Sequence, residues 1–310
     1  MPELPEVETI KLQLQRFLIG HKIEKVDIKN PKIFTGSEKN IEGAKIRGAR
    51  RFAKVLSIDL SNGNSILIHV KLTGQLIYRG PKLPHSAQGF AGLSKKVLGG
   101  LGGKHTHVIF KLDRGGVLYY NDVRRFGWVK VIKSKDLTTD GFLGKLGPEP
   151  FKDLSLEIFT KIISKSARPI KILLMDQTKI GGIGNIYAND ALFLAKIRPV
   201  RKADSLSDLE SKLLFKSIIK VLKEGIKRGG ASELAFVTPD GSEGHYQDYF
   251  LVYGREDKLC KNCKKEFYHP LDAQRFKEFQ EIKRKEFTVK LRMVGNSHCI
   301  SIPREILLFQ

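Results

Sequence analysis

Residues 177–193 read QTKIGGIGNIYANDALF, and this stretch decides how the second half of the chain folds. Glycines at 181, 182 and 184 separate two segments of helical composition, so the pattern predicts a helix, a glycine-rich turn and a second helix that begins near Asn185. Backbone N–H groups in such a turn can approach a phosphate closely, and Asn185 can donate a side-chain hydrogen bond to it. Spacing alone leaves two interpretations open, an anion-binding turn and a plain connection between helices.

The start of the chain has a different pattern. From Leu4 to Leu18, apolar residues recur at helical spacing. Pro5 suits a first turn, and Gly20 suits a C-terminal stop. Short segments rich in Val, Ile and Tyr follow as far as about Ile132, separated by turn signals such as SNGN and DRGG. We therefore predict an N-terminal helix followed by an antiparallel β-sandwich.

Two further segments complete the organisation of the chain. From about Leu154 onward the periodicity is helical, and residues 134–153 are the predicted linker. Residues 80–103 interrupt the strands with seven glycines and little periodicity, so we expect a flexible insertion without a role of its own. Two domains of different class suit a protein that clamps something long.

The charge of the chain indicates its partner. The sequence has 55 Lys and Arg against 33 Asp and Glu, a net charge of +22 that is spread over almost its whole length. Such an excess favours a polyanionic partner. The alternative is a basic surface that only maintains solubility. We find no basic amphipathic helix with an aromatic anchor, so we expect no membrane partner.

Composition narrows the class of protein further. Apolar residues make up 41% of the chain, and no apolar run approaches the ~18 residues of a membrane span. No stretch resembles the apolar core of a signal peptide, so we expect a cytoplasmic protein, or a nuclear one where the cell has a nucleus. Three cysteines lie in the last fifth of the chain. Their odd number favours a metal site, or no cysteine chemistry, over a disulfide framework.

The first ten residues, MPELPEVETI, contain candidate catalytic groups. Removal of the initiator methionine would leave Pro2 with a free secondary amine, and an α-amino group titrates near pH ~8. A secondary amine can form an iminium with a sugar aldehyde carbon, with Glu3 as a candidate acid or base and Glu6 nearby. The alternative is an ordinary helix start whose acidic residues are stabilised by the helix dipole.

Six stretches of the sequence together resemble a known family. In chain order they are MPELPEVETI, KHTHVIF, NDVRRFGWV, LGPEP, DQTKIGGIGNIYANDALF and YFLVYGRE. They resemble the formamidopyrimidine-DNA glycosylase family, whose members excise oxidised purines, over roughly residues 1–285. The opening and the helix-two-turns-helix element are specific to that family and its endonuclease VIII relatives, and ELPEVET is closer to the purine branch.

The resemblance implies a reaction. Pro2 would attack the deoxyribose carbon that bears the damaged base, and Glu3 would be the general acid that helps to open the sugar ring. Lys54, in RRFAKVL, matches a lysine that the family uses near the damaged site. The resulting Schiff base acidifies the neighbouring sugar protons, which allows β,δ-elimination of the two phosphates. The implied enzyme is a bifunctional DNA glycosylase and AP lyase of base excision repair, acting on 8-oxoguanine and formamidopyrimidines without a redox cofactor.

The resemblance also implies how the enzyme holds duplex DNA. A damaged base must leave the stack before its sugar carbon can be reached, and the side chains that fill the gap match Leu72, Arg124 and Phe126. Leu72 departs from the family's usual methionine and should be a less adaptable wedge. The other implied DNA contacts are His105, Asn185 and, grouped with the catalytic residues, Arg275.

Together these patterns predict an α+β fold in five parts. They are an N-terminal helix and β-sandwich catalytic domain (1–133), a linker (134–153), a helix-two-turns-helix DNA-binding domain (154–245), a zinc-finger-like C-terminal β-hairpin (246–286) and a tail (287–310). We expect a monomer that binds duplex DNA containing oxidised bases or abasic sites.

Zinc is the cofactor that the resemblance raises. Members of this branch usually end in a hairpin with two Cys-x-x-Cys pairs, and CKNC supplies Cys260 and Cys263. Gln280 and Lys283 stand where the second pair would be, and neither is a normal zinc ligand. Two explanations stay open. The hairpin holds without metal, or one of His269, His298 and Cys299 completes the site.

The tail and the rival functions leave further alternatives open. VGNSHCISIPREI resembles half of a swapped hairpin of the AbrB or MazE type, and the alternative is a loosely packed appendage. One rival function is an endonuclease VIII-like glycosylase for oxidised pyrimidines. The other is a non-catalytic DNA-binding protein, although binding alone does not require a terminal amine such as that of Pro2.

Overall fold

The computed structural model describes residues 1–84, 92–98, 100–255 and 258–259, and the backbone of residues 291–294 and 297–300. The chain divides into two compact units, Met1–Phe250 and Leu251–Gln310. The first unit contains both the sandwich strands and the helices, so the geometry of the candidate site belongs to it.

The first helix, α1, runs from Leu4 to Leu18, the bounds that the periodicity predicts. Pro5 lies in its first turn, where the missing N–H costs nothing. The backbone N–H of Glu3 donates a 2.8 Å hydrogen bond to the Glu6 carboxylate. The apolar face of α1 belongs to the same buried core as the strands. Burying one such aliphatic side chain contributes about 1.5–3 kcal/mol, so this face holds the chain start against the sandwich.

Two sheets form the sandwich. Its strands are β1 (Ile23–Ile28), β2 (Phe34–Thr35), β3 (Ile46–Phe52), β4 (Val55–Leu60), β5 (Asn64–His69), β6 (Gly74–Arg79), β7 (Thr106–Leu112), β8 (Val117–Asp122) and β9 (Trp128–Lys133). One sheet has the order β2-β9-β5-β4-β3 and the other β1-β7-β8-β6. The two-residue β2 runs parallel to β9, which corrects the prediction of a purely antiparallel sandwich. Such a short strand carries no alternating pattern from which its direction can be predicted.

The core lies between the two sheets and against α1. Ile58 and Phe110 are each 1% exposed, and the ring of Tyr78 stacks on Phe17 of α1 with the centroids 5.2 Å apart. Side chains alternate between the two faces of a strand, so a slip of one residue would turn these groups to solvent. The apolar pattern therefore fixes the register of the strands and the position of the turns between them.

In the described residues after the sandwich, four α-helices follow. They are α2 (Leu156–Ser164), α3 (Ile170–Met175), α4 (Asn185–Ala195) and α5 (Asp208–Lys227). Ser155 and Ser207 cap α2 and α5 with their side-chain oxygens, as serine commonly does at this position. Gly184 precedes α4 and has no side chain, so the first N–H groups of α4 need an acceptor from elsewhere in the fold.

Part of the glycine-rich insertion is packed against the protein. The backbone N–H of Ser94 donates a 2.9 Å hydrogen bond to the carbonyl of Gly241. The buried amide of Gln75 donates a 2.6 Å hydrogen bond to the carbonyl of Lys96. The prediction of a flexible insertion is therefore wrong for residues 92–98, because polar groups far away in the sequence supply partners for their backbone.

Little of the second unit belongs to the described residues. Strands β10 (Leu291–Val294) and β11 (Ser297–Ile300) pair antiparallel within the tail. The predicted zinc ligands Cys260 and Cys263 and the predicted phosphate contact Arg275 lie outside the described residues. None of the helices in the described part of the chain is both long and apolar enough to cross a membrane.

Candidate active site

The start of the chain is buried against the glycine-rich turn before α4. Pro2 is buried, Glu3 is 2% exposed, and only Met1 reaches the surface. The backbone N–H of Leu4 donates a 2.9 Å hydrogen bond to the carbonyl of Gly182. The two most distinctive stretches of the sequence, the N-terminus and the turn at 181–184, therefore meet at one place.

The carboxylate of Glu3 caps helix α4. It accepts backbone hydrogen bonds of 2.7 Å from Gly184, 2.8 Å from Ile186 and 3.4 Å from Tyr187. These donors are the unpaired N–H groups at the positive end of the helix dipole, where a negative charge is stabilised. The glycine-rich turn does bind an anion, but that anion is the protein's own carboxylate. Of the two interpretations that the spacing leaves open, these bonds support an anion-binding turn.

The glycines of the turn are required by this close approach. A Cβ added to Gly184 would lie 2.4 Å from the carboxyl carbon of Glu3, and one added to Gly182 would lie 2.7 Å from the Leu4 side chain. Gly182 also has a φ of +94°, which side chains rarely adopt. The sequence identifies Gly182 and Gly184 as unusual positions. It does not show that they make room for the first residues of the chain.

Burial changes the acidity of Glu3. It raises the pKa of this carboxyl to about 7, although the Lys54 ammonium and the backbone N–H of Ile186 act in the opposite direction. A carboxyl with this pKa is protonated in a substantial fraction of molecules at neutral pH. It can then give up a proton, which is what a general acid must do.

Lys54 is held beside Glu3 by an arginine that the sequence analysis did not single out. Lys54 is 4% exposed, and burial lowers the pKa of its ammonium while Glu3 and Glu6 raise it. It follows Ala53, whose φ is +50°. Arg51 donates a 2.9 Å hydrogen bond to the Ala53 carbonyl and so supports this strained turn.

Arg51 also joins three parts of the chain. It pairs with Glu8 of α1 at 2.8 Å and with Glu149, in the LGPEP stretch that follows the sandwich. The side chains of Arg51 and Glu149 are 10% and 6% exposed, so little water screens the pair. In the sequence, Arg51 is one of many basic residues, and only its two acidic partners distinguish it.

Glu6 is a second buried carboxylate at the site. It accepts hydrogen bonds from the Tyr187 hydroxyl at 2.7 Å, from the Ala231 backbone at 2.8 Å and from the Glu3 backbone. Burial raises the pKa of Glu6, and its hydrogen bonds oppose this. Glu6 thus joins α1 to α4 and to the loop that begins at Ala231.

The predicted wedge residues lie on two neighbouring turns. The Asp122 carboxylate accepts hydrogen bonds from the Thr73 hydroxyl and from the backbone of Gly127, which ties the turn containing Leu72 to the loop 123–126. The ring of Phe126 is 56% exposed, and the Arg124 guanidinium lies 4.8 Å from its centroid. An exposed phenylalanine beside an arginine favours the wedge over a place in the core.

His69 supports the same region but was missed by sequence reasoning. It is 4% exposed, and burial, with smaller contributions from Lys71 and Lys54, lowers its pKa to about 3. The ring is therefore neutral, and its Nδ1 accepts a 3.1 Å hydrogen bond from the Lys71 backbone. Aromatic contacts with Trp128 and Phe142 hold the ring at the base of the Leu72 turn.

Asn185 and His105 are the two other predicted DNA contacts among the described residues. Asn185 is the first residue of α4, and its side-chain oxygen lies 3.5 Å from the Asn189 amide. His105 is half-buried, and its Nδ1 has no hydrogen-bond partner in the part of the chain that the structure describes. Contacts of both side chains with DNA stay predictions.

A basic cleft adjoins the loop 123–126. It has a volume of about 770 Å³, and its cationic lining consists of Lys29, Lys32, Lys104 and Arg125. His107, also in the lining, makes a 2.6 Å hydrogen bond to the carbonyl of Asp122. The cleft is thus continuous with the loop that carries Arg124 and Phe126, and its charge suits a phosphate backbone.

A metal site is not formed by the described residues. No three of their His, Cys, Asp and Glu side chains are grouped to hold a metal ion. In the sequence, Cys260 and Cys263 supply two of the four ligands that a closed zinc site needs.

Two family profiles and many named relatives match this chain. The family profile described as the formamidopyrimidine-DNA glycosylase N-terminal domain matches residues 1–129, and the one described as the formamidopyrimidine-DNA glycosylase H2TH domain matches residues 146–236. A formamidopyrimidine-DNA glycosylase of Heliobacterium modesticaldum is 36% identical over 285 residues, which cover 90% of this chain and 98% of the relative.

Solved structures of similar fold carry DNA. A Lactococcus lactis Fpg in complex with DNA containing an abasic site has a TM-score of 0.73 and 31% identity, covering 85% of this chain and 92% of that one. A mutant of the L. lactis protein in complex with Fapy-dG-containing DNA has a TM-score of 0.74 and 28% identity, covering 96% and 97%.

Proposed function

This chain belongs to the formamidopyrimidine-DNA glycosylase family, and we propose that it excises oxidised purines from duplex DNA through a Schiff base on Pro2. It is a DNA glycosylase and abasic-site lyase of base excision repair, and its partner is damaged DNA. The observation that carries the proposal is the buried Glu3 carboxyl, with a pKa of about 7, directly after Pro2 and beside Lys54.

The nucleophile exists only after Met1 has been removed, because the Pro2 nitrogen is otherwise part of an amide bond. The free amine attacks C1′ of the damaged nucleotide, the bond from C1′ to the base breaks, and the departing base takes the amine proton. The C1′–O4′ bond then opens as Glu3 gives its proton to O4′. The products are an iminium between Pro2 and C1′ and a Glu3 carboxylate.

The iminium prepares the two eliminations. It acidifies the C2′ protons, so that loss of one proton is followed by cleavage of the C3′–O3′ bond and release of the 3′ phosphate. A second elimination releases the 5′ phosphate, and water then frees Pro2 from the sugar fragment. The Lys54 ammonium favours the Glu3 carboxylate that forms on ring opening, because it lies beside that group in a poorly solvated site.

Three residues on turns of the sandwich, the half-buried Leu72 and the exposed Arg124 and Phe126, suit an extruded base. Leu72, Arg124 and Phe126 lie on two turns joined by Asp122, where they can fill the space that the base leaves. The basic cleft supplies charges for the phosphates beyond this point. His105, Asn185 and Arg275 are the further phosphate contacts in this proposal.

Lesion choice and nucleophile can be tested in one experiment. The protein is incubated with duplexes that carry a single 8-oxoguanine, formamidopyrimidine-guanine, thymine glycol or abasic site, with borohydride present to reduce any Schiff base. We expect covalent trapping on the purine lesions and on the abasic site, and peptide mapping by mass spectrometry should place the reduced adduct on the nitrogen of Pro2. Faster reaction with thymine glycol would favour the endonuclease VIII-like alternative. An adduct mapped to another residue, such as Lys54, would place the nucleophile elsewhere.

Four finer assignments complete the proposal. The enzyme works in the cytoplasm on DNA and binds it as a monomer. The tail is an AbrB- or MazE-like fragment, which is supported by the antiparallel pairing of β10 with β11. Zinc is not needed by the hairpin, because the sequence supplies one Cys-x-x-Cys pair where four ligands are required. Light scattering on the full chain tests the monomer, and deletion of residues 287–310 tests whether the tail pairs two chains.

A further inference from the structure

Lys96 and Ser94 attach the insertion segment 92–98 to the loop 231–245. The Lys96 ammonium donates a 2.6 Å hydrogen bond to the Glu243 carboxylate and another to the Ser232 carbonyl. Ser94 of the same segment also donates to Glu243. One cation thus joins residues near the two ends of the loop and fixes their separation.

A second attachment lies next to the first. The side-chain amide of Gln75, on β6, donates 2.6 Å hydrogen bonds to the carbonyls of Lys96 and Ala235. Its side-chain oxygen accepts a 2.9 Å hydrogen bond from the Leu98 backbone. Gln75 is 1% exposed, so these bonds are shielded from water. The insertion, the sandwich and the loop are therefore joined at one buried point.

These attachments enclose a short exposed tip. Ser232 and Ala235 are buried, while Glu233 and Leu234 between them are exposed, Leu234 by 64%. The tip begins two residues after Ala231, whose backbone N–H binds Glu6. The tip is thus held at Ser232 by Lys96 and at Ala235 by Gln75. Along the chain it lies two residues from Ala231, the partner of Glu6.

We infer that Lys96 is a positioning residue for base excision, which holds the tip Glu233–Leu234 against the extruded base without touching the DNA itself. This inference rests on the proposed function, because it assigns a task to a loop of that same site. An extruded base needs protein contacts that replace its lost stacking, and an exposed leucine three positions after Ala231, whose backbone binds Glu6, can offer them. Those contacts are useful only if the tip has one position.

Electrostatics supports the attachment. Hydrogen bonds from Lys96 and Ser94 lower the pKa of the Glu243 carboxyl, so this group remains charged at neutral pH. Replacing Lys96 by methionine keeps most of the stem but leaves a carboxylate and a carbonyl without their cation. The bonds from Ser94 to the loop remain, but Ser232 and Glu243 lose the cation that fixes their separation, while Glu6 and Glu3 keep their own hydrogen bonds.

The test compares two substrates that differ only in the base. Release of 8-oxoguanine requires the base to be held, whereas cleavage of a preformed abasic site does not. We expect Lys96→Met to slow single-turnover base release about tenfold, the scale expected for a small misplacement of a positioned group. Cleavage at the abasic site should stay within about twofold of wild type, since the chemical groups are the same.

Three further variants make the result decisive. Lys96→Arg keeps the cation and should restore most of the base-release rate. Lys95→Met, at the exposed neighbouring lysine, removes the same charge from the same segment and should change neither rate. Glu243→Gln should slow base release, and combining it with Lys96→Met should add little, because both break one attachment.

Several outcomes would overturn the inference. Unchanged base release in Lys96→Met would show that the attachment has no part in excision. An equal loss on both substrates, or an equal effect of Lys95→Met, would show a general effect on stability or on DNA binding. If the wild-type protein cleaves abasic sites but Lys96→Met has no selective effect, the inference fails and the proposed lyase stands. Absence of both activities in the wild type would overturn the proposed function as well.

Discussion

The carboxylate of Glu3 accepts a 2.7 Å hydrogen bond from the backbone N–H of Gly184, although the two residues are 181 positions apart in the chain. This contact places the candidate acid at the N-terminus of α4 and brings Pro2 to the same place. The catalytic site thus depends on the docking of the first turn of α1 against the helical part of the chain.

Gly184→Ala should damage the site directly. The added Cβ would lie 2.4 Å from the Glu3 carboxyl carbon, and both groups are buried. We expect a loss of about 1–3 kcal/mol in the free energy of unfolding and a marked loss of borohydride trapping. Gly141→Ala is the control, because a Cβ there meets nothing within 4 Å. Normal trapping by Gly184→Ala would mean that Glu3 need not occupy this position.

Glu3 should make stability depend on pH. Burial raises its pKa from 4.5 to about 7, so the folded protein keeps a proton that the unfolded chain loses. The contribution of this proton to the stability of the fold is complete below about pH 4.5 and is lost as the pH rises through about 7. We expect the free energy of unfolding of the wild type, relative to Glu3→Gln, to fall by about 3 kcal/mol between pH 4.5 and 8. If the free energy of unfolding of the two proteins changes with pH in the same way across this range, the raised pKa of Glu3 is contradicted.

Arg51→Met should destabilise the protein much more than Arg50→Met does. The first change leaves the buried Glu149 carboxylate without its cation and the Ala53 turn without its donor. Breaking such a buried pair costs about 3–5 kcal/mol. Arg50 pairs with Asp59 at the surface, with its side chain 49% exposed, and loss of an exposed pair costs at most about 1 kcal/mol. Thermal denaturation of both variants measures the difference, and equal shifts would refute it.

The basic cleft should contribute phosphate contacts on every duplex. Lys29→Ala with Lys32→Ala should weaken binding to damaged and undamaged DNA about equally. It should also reduce the slope of log K against log salt concentration by about two, because each phosphate contact contributes about 0.9 to that slope. Lys133→Ala with Lys135→Ala removes two exposed lysines away from the cleft and serves as the control. Fluorescence anisotropy at several salt concentrations checks this, and a loss confined to one lesion would point to base recognition.

Cys260→Ser with Cys263→Ser should retain most abasic-site cleavage. Structural zinc contributes on the order of 10 kcal/mol to folding a small module, but two thiolates leave half of its coordination open. Metal analysis of the purified protein accompanies the assay. One zinc per chain, together with loss of DNA binding on chelation, would contradict the prediction and direct attention to His269, His298 and Cys299.

Local sequence patterns determined the elements of this fold. The bounds of α1 follow from apolar spacing, the helices α2 to α5 from the periodicity after Leu154, and most strands from alternation between turn signals. These features depend on neighbours a few positions apart, which the sequence displays directly. The resemblance in MPELPEVETI and in residues 177–193 likewise identified the family, because those stretches are distinctive in themselves.

The partners of the site residues were decided only by the tertiary structure. Three sets of contacts join positions that are dozens to hundreds of residues apart. They are the bonds of the Glu3 carboxylate to the start of α4, the pairing of Arg51 with Glu8 and Glu149, and the pairing of Lys96 with Glu243. No local pattern encodes such pairs, since they form where packing brings buried polar groups within hydrogen-bonding distance. The pKa of Glu3 is decided in the same way, because burial is a property of the assembled fold rather than of the residue.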